Sequence, residues 1–311
     1  MRPLTAVAAL ALTTGLSGLL AGCGDDTEPT SSETGSDTPT SATTDEATSQ
    51  PATPTETPTD TATDTDGAAP SGTAPIYFTG STPLGTRLYR EFREVEADNP
   101  LEEAAALLVA GDTADPDYST LLQGVVVDAV AQEPDAIVVT LGDDSAVAPD
   151  KGMSPDDAAL AVQSLVYTLQ GVAQERLPVR VQLSDGSPAD LFDQPTGAGV
   201  DAAPELDVLA LVSLTTPEEG ATYAAGDTLT VDGRASSFEA TVPVVLLDAD
   251  GQPALDTFAT AEGWTDRLYP YSVDLTLDVA PGTYTVVART DDPSDGEGPG
   301  PFEDTRTIVV E

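Results

Sequence analysis

A single cysteine among 311 residues, Cys23, rules out any intrachain disulfide, so each folded part of this chain must be held by packing and hydrogen bonds alone. Packing needs large apolar residues, and their distribution divides the sequence abruptly. Residues 24–75 are almost entirely Thr, Ser, Pro, Ala, Gly and acids, with Asp or Glu at eleven positions and no Lys or Arg. Such a stretch cannot bury enough surface to offset its ordering entropy, so residues 23–75 read as a disordered acidic linker. Treated as a flexible coil it spans about 40 Å. At Ile76-Tyr77-Phe78 the composition turns to that of a folded domain.

Ahead of the linker, the Met1 amine and Arg2 precede an apolar run over residues 4–20 that ends in Leu20-Ala21-Gly22-Cys23. The run is short and interrupted by Thr, Gly and Ser, which suits a secretion signal better than a membrane span. The tetrad resembles the lipobox of bacterial lipoproteins. That resemblance implies removal of a signal peptide, residues 1–22, and a diacylglycerol on Cys23. The expected location is extracytoplasmic, lipid-anchored to the outer face of the cell membrane, with the membrane itself a partner through Cys23. Two acyl chains suffice for durable anchoring. The plainer alternative, a buried thiol, lacks a neighbouring core to join.

The formal charge is −43, from 54 acidic and 11 basic residues. Nucleic acid is therefore not an expected partner, because phosphate binding needs clustered Lys and Arg. The chain contains no histidine, which removes Ser-His-Asp and Cys-His nucleophiles and His-ligated metals. Paired carboxylates, a Ser-Lys dyad on Lys151 or a hard cation held by oxygens remain available. None is indicated, so no catalytic residue, cofactor or metal ligand is assigned and the chain is read as no enzyme.

Past the linker, residues 87–95 alternate apolar and polar in the manner of a half-buried strand. Asn99-Pro100 marks a helix start, and residues 101–110 carry Ala104, Leu107 and Leu108 on one face before Gly111. Strands follow at 125–130 and 136–141, joined by a hairpin-length turn. A second helix starts at Ser154-Pro155-Asp156-Asp157 and is expected to stop at Gly171. Residues 179–183 form one more strand. The order indicates an α+β sandwich with helices packed on a sheet. Ile76-Tyr77-Phe78, Leu107-Leu108-Val109-Ala110-Gly111, Tyr167-Thr168-Leu169 and the Val181 strand leading to Asp185-Gly186 together resemble the GerMN domain. This family is named from spore germination and sporulation proteins, and the likeness covers residues 76–195. The sequence departs from the family at Ala-Gly-Asp after the first helix and after Gly186.

Beyond residue 203 the period is two almost throughout. Candidate strands lie at 206–214, 228–235, 238–247, 254–261, 271–279, 283–290 and 305–310, the spacing of an all-β immunoglobulin-like sandwich over residues 206–311. Without an intersheet disulfide, Trp264, Tyr271, Tyr284 and the Val and Leu rows must form its core. Pro217-Glu218-Glu219-Gly220, Val231-Asp232-Gly233-Arg234-Ala235, Phe238-Glu239-Ala240-Thr241-Val242 and Asp248-Ala249-Asp250-Gly251 resemble, in order, the immunoglobulin-like domain of bacterial spore germination. The two resemblances imply architecture and cell-surface context, and they bring no catalytic residues.

Several residues remain as candidates for contact. Asp248-Ala249-Asp250-Gly251 reads as a hairpin turn rather than a calcium loop, since it lacks the further ligands such a loop needs. Asp291, Asp292, Asp295 and Glu297 read as a solvated acidic loop rather than a cation site. An interaction surface is sketched from Trp264, Tyr269, Tyr271 and Glu239, against the alternative that the aromatics are core and Glu239 merely faces solvent. The expected function is a noncatalytic, lipid-anchored scaffold or accessory subunit whose partner is another envelope protein, in a wall-associated or sporulation-like assembly. Binding of cell-wall glycan or peptidoglycan fragments is the second reading, and a carboxylate-dependent glycan hydrolase the third.

Overall fold

The computed structural model describes residues 71–149, 151–292 and 296–311. The segment read as a signal peptide, Cys23, the segment read as a linker up to residue 70, and Asp295 lie outside the described residues.

Strands β1 (Ser71–Thr82) and β2 (Gly85–Glu96) form one long antiparallel hairpin, in register from Thr82↔Gly85 at its tip to Ser71↔Glu96 at its base. Strand β1 thus takes in residues 71–75, within the stretch read as linker. Residues 71–75 have few large side chains, yet their backbone is paired to β2, a source of order that composition does not reveal. Helix α1 (Pro100–Ala110) has Pro100 in its first turn and closes at Gly111, whose left-handed backbone lets its N–H reach Leu107 and Leu108 carbonyls.

Strands β3 (Val127–Gln132) and β4 (Ile137–Leu141) are antiparallel, and β5 (Val179–Leu183) pairs parallel to β4. Between β4 and β5 runs α2 (Pro155–Ala173), capped by Ser154 Oγ, which accepts from the Asp157 N–H at 3.0 Å. The helix passes through Gly171 and ends at Gln174, so the expected stop is wrong. Gly171 serves a close approach instead, because a Cβ there would lie 2.7 Å from Pro75 Cγ on β1. The hairpin, α1, α2 and the second sheet enclose a core that includes Phe78, Leu108, Leu122, Ile137, Leu141 and Leu169, all fully buried.

The second domain begins with a short helix, α3 (Glu205–Val208), where the periodicity suggested a strand. Then follow β6 (Val212–Thr216), β7 (Ala221–Tyr223), β8 (Thr228–Ala235), β9 (Thr241–Leu247), β10 (Pro253–Thr260), β11 (Tyr269–Thr276), β12 (Gly282–Arg289) and β13 (Glu303–Val310). They form two facing sheets, β11-β8-β6 and β10-β9-β12-β13-β7. The three-residue β7, which alternation does not reveal, pairs parallel with β13. Leu229, Val231, Val244, Leu246, Ile308 and Val310 alternate inward to form the core.

Tyr271 and Tyr284 join this core, and Trp264 does not, being 40% exposed. Gly233 makes the Tyr271 placement possible. A Cβ at Gly233 would lie 2.1 Å from the Ser213 carbonyl oxygen and 2.5 Å from Tyr271 Oη. The ring therefore crosses the backbone of β8 only because no side chain is there. No helix among the described residues is long and apolar enough to cross a membrane.

Candidate functional site

The two domains meet along a seam made by β2, the loop at 112–119 and strand β13. Alternation along β13 turns Asp304 and Arg306 to the same buried side as Ile308 and Val310. The Arg306 guanidinium contacts Asp115 Oδ2 of the first domain and Asp304 Oδ1, the latter at 3.3 Å. Its second nitrogen donates to Tyr118 Oη at 3.1 Å and to the Leu214 carbonyl at 3.3 Å. Tyr118 in turn donates to Asp304 Oδ1 at 2.8 Å, and the Leu214 N–H donates to Asp304 Oδ2 at 2.5 Å. Every member is hydrogen-bonded, as buried charge requires.

The seam extends to both sides of this cluster. Tyr89 stacks on Tyr118 at 5.0 Å and donates to the Glu303 carbonyl at 2.9 Å, while Thr305 Oγ1 donates to Asp117 Oδ2 at 2.8 Å. Ala210 N–H donates to the Leu88 carbonyl at 2.9 Å, and Arg90 donates to Thr215 Oγ1 at 3.1 Å. Arg87 reaches the Leu206 and Asp207 carbonyls. Three of the chain's few cations, Arg87, Arg90 and Arg306, therefore bind the first domain to the α3–sandwich region.

Two carboxylates share one guanidinium at the centre, and their proton affinities reflect it. Burial raises the Asp115 carboxyl from 3.8 to about 6, although Arg306 opposes the rise. Burial also raises Asp304 against the pull of Arg306. Tyr118 is pushed well above its ordinary value by burial and then by Asp304. The guanidinium itself loses hydration, but the facing anions hold its proton all the more firmly.

The inward side of β2 shared by Tyr89 and Val95 carries an acid beside the seam. Glu91 is buried and accepts from the Ala114 and Asp115 N–H groups at 2.9 and 3.2 Å, with Arg93 at 3.1 Å, while Phe92 is exposed beneath the Arg90 guanidinium. A groove of about 620 Å³ runs past Phe92, Arg93, Thr216 and Glu219. A second cleft, of about 840 Å³, lies between the hairpin tip at Leu84, the first two turns of α2 at Asp156 and Leu160, and α3 at Asp207 and Val208.

The sketched contact residues separate once placed. Tyr271 is 3% exposed and is a core residue, so it is removed from the surface. Tyr269, the first residue of β11, is half-buried and engaged with the preceding loop: its ring covers Gly263, its hydroxyl meets Asp266 Oδ1 at 2.5 Å, and Arg267 lies over it at 4.8 Å. Trp264 is exposed and meets Phe238, a residue that alternation assigns to a strand, with ring centroids 5.2 Å apart and planes at 75°. Phe238–Ala240 is a 3-10 turn rather than a strand, and it presents Glu239 to solvent with φ 51°.

The remaining candidates resolve into local structure. Asp248 Oδ1 accepts from the Asp250 and Gln252 N–H groups at 3.0 and 2.8 Å, closing the β9–β10 turn as read. Lys151 is exposed, and Ser154 is engaged in capping α2. Among the described residues no group of three or more His, Cys, Asp or Glu is placed to hold a metal ion.

Residues 75–190 match the family described as sporulation and spore germination, and residues 211–297 match the immunoglobulin-like domain of bacterial spore germination. The two matches follow one another in that order along the chain. Among solved structures it is similar to the tandem GerMN domains of the sporulation protein GerM from Bacillus subtilis, at 12% identity over 66% of this chain and 62% of that one, with a TM-score of 0.33. It is also similar to CopC from Methylosinus trichosporium OB3b, at 21% identity over 32% of this chain and 93% of that one, TM-score 0.23. Fibronectin(III)-like modules of CbhA from Clostridium thermocellum align at 20% identity over 32% and 93%, TM-score 0.21. No curated protein matches the chain.

Proposed function

We propose, from a sporulation and germination domain joined to its immunoglobulin-like companion, that this chain is a noncatalytic accessory protein of the cell envelope. Lipid on Cys23 holds it at the outer face of the membrane, the acidic linker sets its distance, and the joined domains bind another envelope protein. The single observation that carries this reading is the seam. Asp115, Tyr118, Asp304 and Arg306 are buried, mutually bonded and committed to joining the domains, so the groups best suited to chemistry are spent on fixing two surfaces in one relation. Fixed geometry across two domains favours recognition by lowering the entropy lost on binding.

The test uses the full chain in intact envelopes with a chemical crosslinker. Wild-type protein is expected to sediment with membranes and to give a discrete crosslinked adduct, whereas Cys23→Ala is expected in the soluble fraction. Soluble wild-type protein, or no adduct at any crosslinker length, overturns the proposal. Wall glycan remains the second reading because the Trp264 ring is open to solvent. Retention on isolated wall that Trp264→Ala abolishes would favour it.

A further inference from the structure

The turn at Phe238–Ala240 is built against local preference. Glu239 and Ala240 are consecutive non-glycine residues at φ 51° and 60°, a region that L-residues enter at a cost. A similar pair occurs at Phe192 and Asp193, where both N–H groups bond to the Ala146 and Val147 carbonyls and the Phe192 ring is buried. There the strain secures a core side chain. At 238–240 it turns an aromatic ring outward.

The outward arrangement is firmly held. Ser236 Oγ donates to the Trp264 carbonyl at 2.6 Å, Ser237 Oγ accepts from the Asp291 N–H at 2.7 Å, and the Ala261 N–H donates to the Ala240 carbonyl at 2.8 Å. Phe238 and Trp264 therefore stand as a fixed corner, each about two-fifths exposed. Glu239, Glu262 and Asp266 are exposed acids on the two segments that carry the rings, Asp266 being engaged by the Tyr269 hydroxyl, and the neighbouring Arg267 is laid over Tyr269.

We propose that the Phe238–Trp264 corner, with Glu239 beside it, receives a lysine or arginine side chain presented by a partner protein. This rests on the partner-binding reading above and specifies its chemistry. In this edge-to-face pair one ring's edge lies against the other ring, the exposed ring face that remains offers its negative quadrupole to a cation, and the carboxylate next to Phe238 in the chain adds a formal charge. A sugar stacks best on a broad flat face, and a ring edge set against a ring face breaks that plane. The formal charge of −43 adds a long-range attraction for cationic partners.

Trp264 is the sole tryptophan, so its fluorescence reports this corner in the full chain. The probe is an end-blocked tetralysine peptide at physiological salt, compared with the same peptide acetylated on every lysine. A saturable emission change with the first and none with the second is expected. Phe238→Leu, which keeps apolar bulk but loses the ring, and Glu239→Gln, on the surface, should each weaken binding about three- to fivefold, the size of one exposed cation–π contact. Asp190→Asn, an exposed acid of the first domain, should leave it unchanged. Equal weakening by Asp190→Asn, a response to an N-acetylglucosamine oligomer in place of tetralysine, or no saturable response overturns the proposal. If the envelope adduct survives both corner variants undiminished, the corner assignment falls while the accessory reading stands.

Discussion

The seam and the aromatic corner depart from ordinary burial in opposite directions. At the seam, carboxylates and a guanidinium sit inside; at the corner, two of the largest rings in the sandwich domain sit outside. The first departure is offset within the chain, since each charged side chain of the cluster finds partners from both domains. The second has no internal offset beyond the contact between the rings. Internally compensated anomalies point to architecture, and uncompensated ones point to a surface awaiting something else.

Arg306→Met tests the seam most severely. It leaves Asp115 and Asp304 buried without their cation, and a loss of about 3–5 kcal/mol is expected. Chemical denaturation should then show two transitions in place of one; a single transition at the original midpoint would contradict a coupling role. A pair of aromatic truncations sharpens the contrast with the corner. Tyr271→Ala should cost about 3–5 kcal/mol as a core deletion, and Trp264→Ala under about 1 kcal/mol, read from denaturant midpoints.

Acidity probes the same contrast. Because burial raises Asp115 from 3.8 to about 6, folding takes up a proton there, so this contribution is fully present below 3.8 and is lost as pH rises through about 6. The gap corresponds to about 3 kcal/mol at most. General relief of negative repulsion acts in the same direction, so the expected result is the difference: Asp115→Asn flattens the pH dependence of stability relative to wild type. The smallest effect belongs to the corner. Glu239→Gly relieves a left-handed backbone and should raise stability by about 0.5–1 kcal/mol while weakening tetralysine binding, a trade that a purely structural turn would not show.

Much of this architecture is legible in residue order, and the failures have definite causes. The alternation Phe302, Asp304, Arg306, Ile308, Val310 already places two charges in phase with a buried row. What it withholds is the partner, since Asp115 lies 191 residues earlier. Tyr271 shares its phase with Leu275 and so belongs inside, whereas Trp264 sits in a loop where no period assigns a side. Gly171 and Gly111 look alike in sequence, yet one ends a helix and the other admits Pro75 against it. Phe238-Glu239-Ala240 reads as strand because composition carries no sign of φ. Glu91 lies in phase with the buried Tyr89 and Val95, and what periodicity withholds is the pair of loop N–H groups that bind its carboxylate.

The position of β13 has a consequence for biogenesis. A chain emerging from its amino end completes the hairpin, both long helices and the second sheet well before Asp304 and Arg306 exist. Until that late strand arrives, Asp115 and Tyr118 face water without their partners. In a chain that folds in order of synthesis, closing the docking edge of the leading domain is therefore among the last steps.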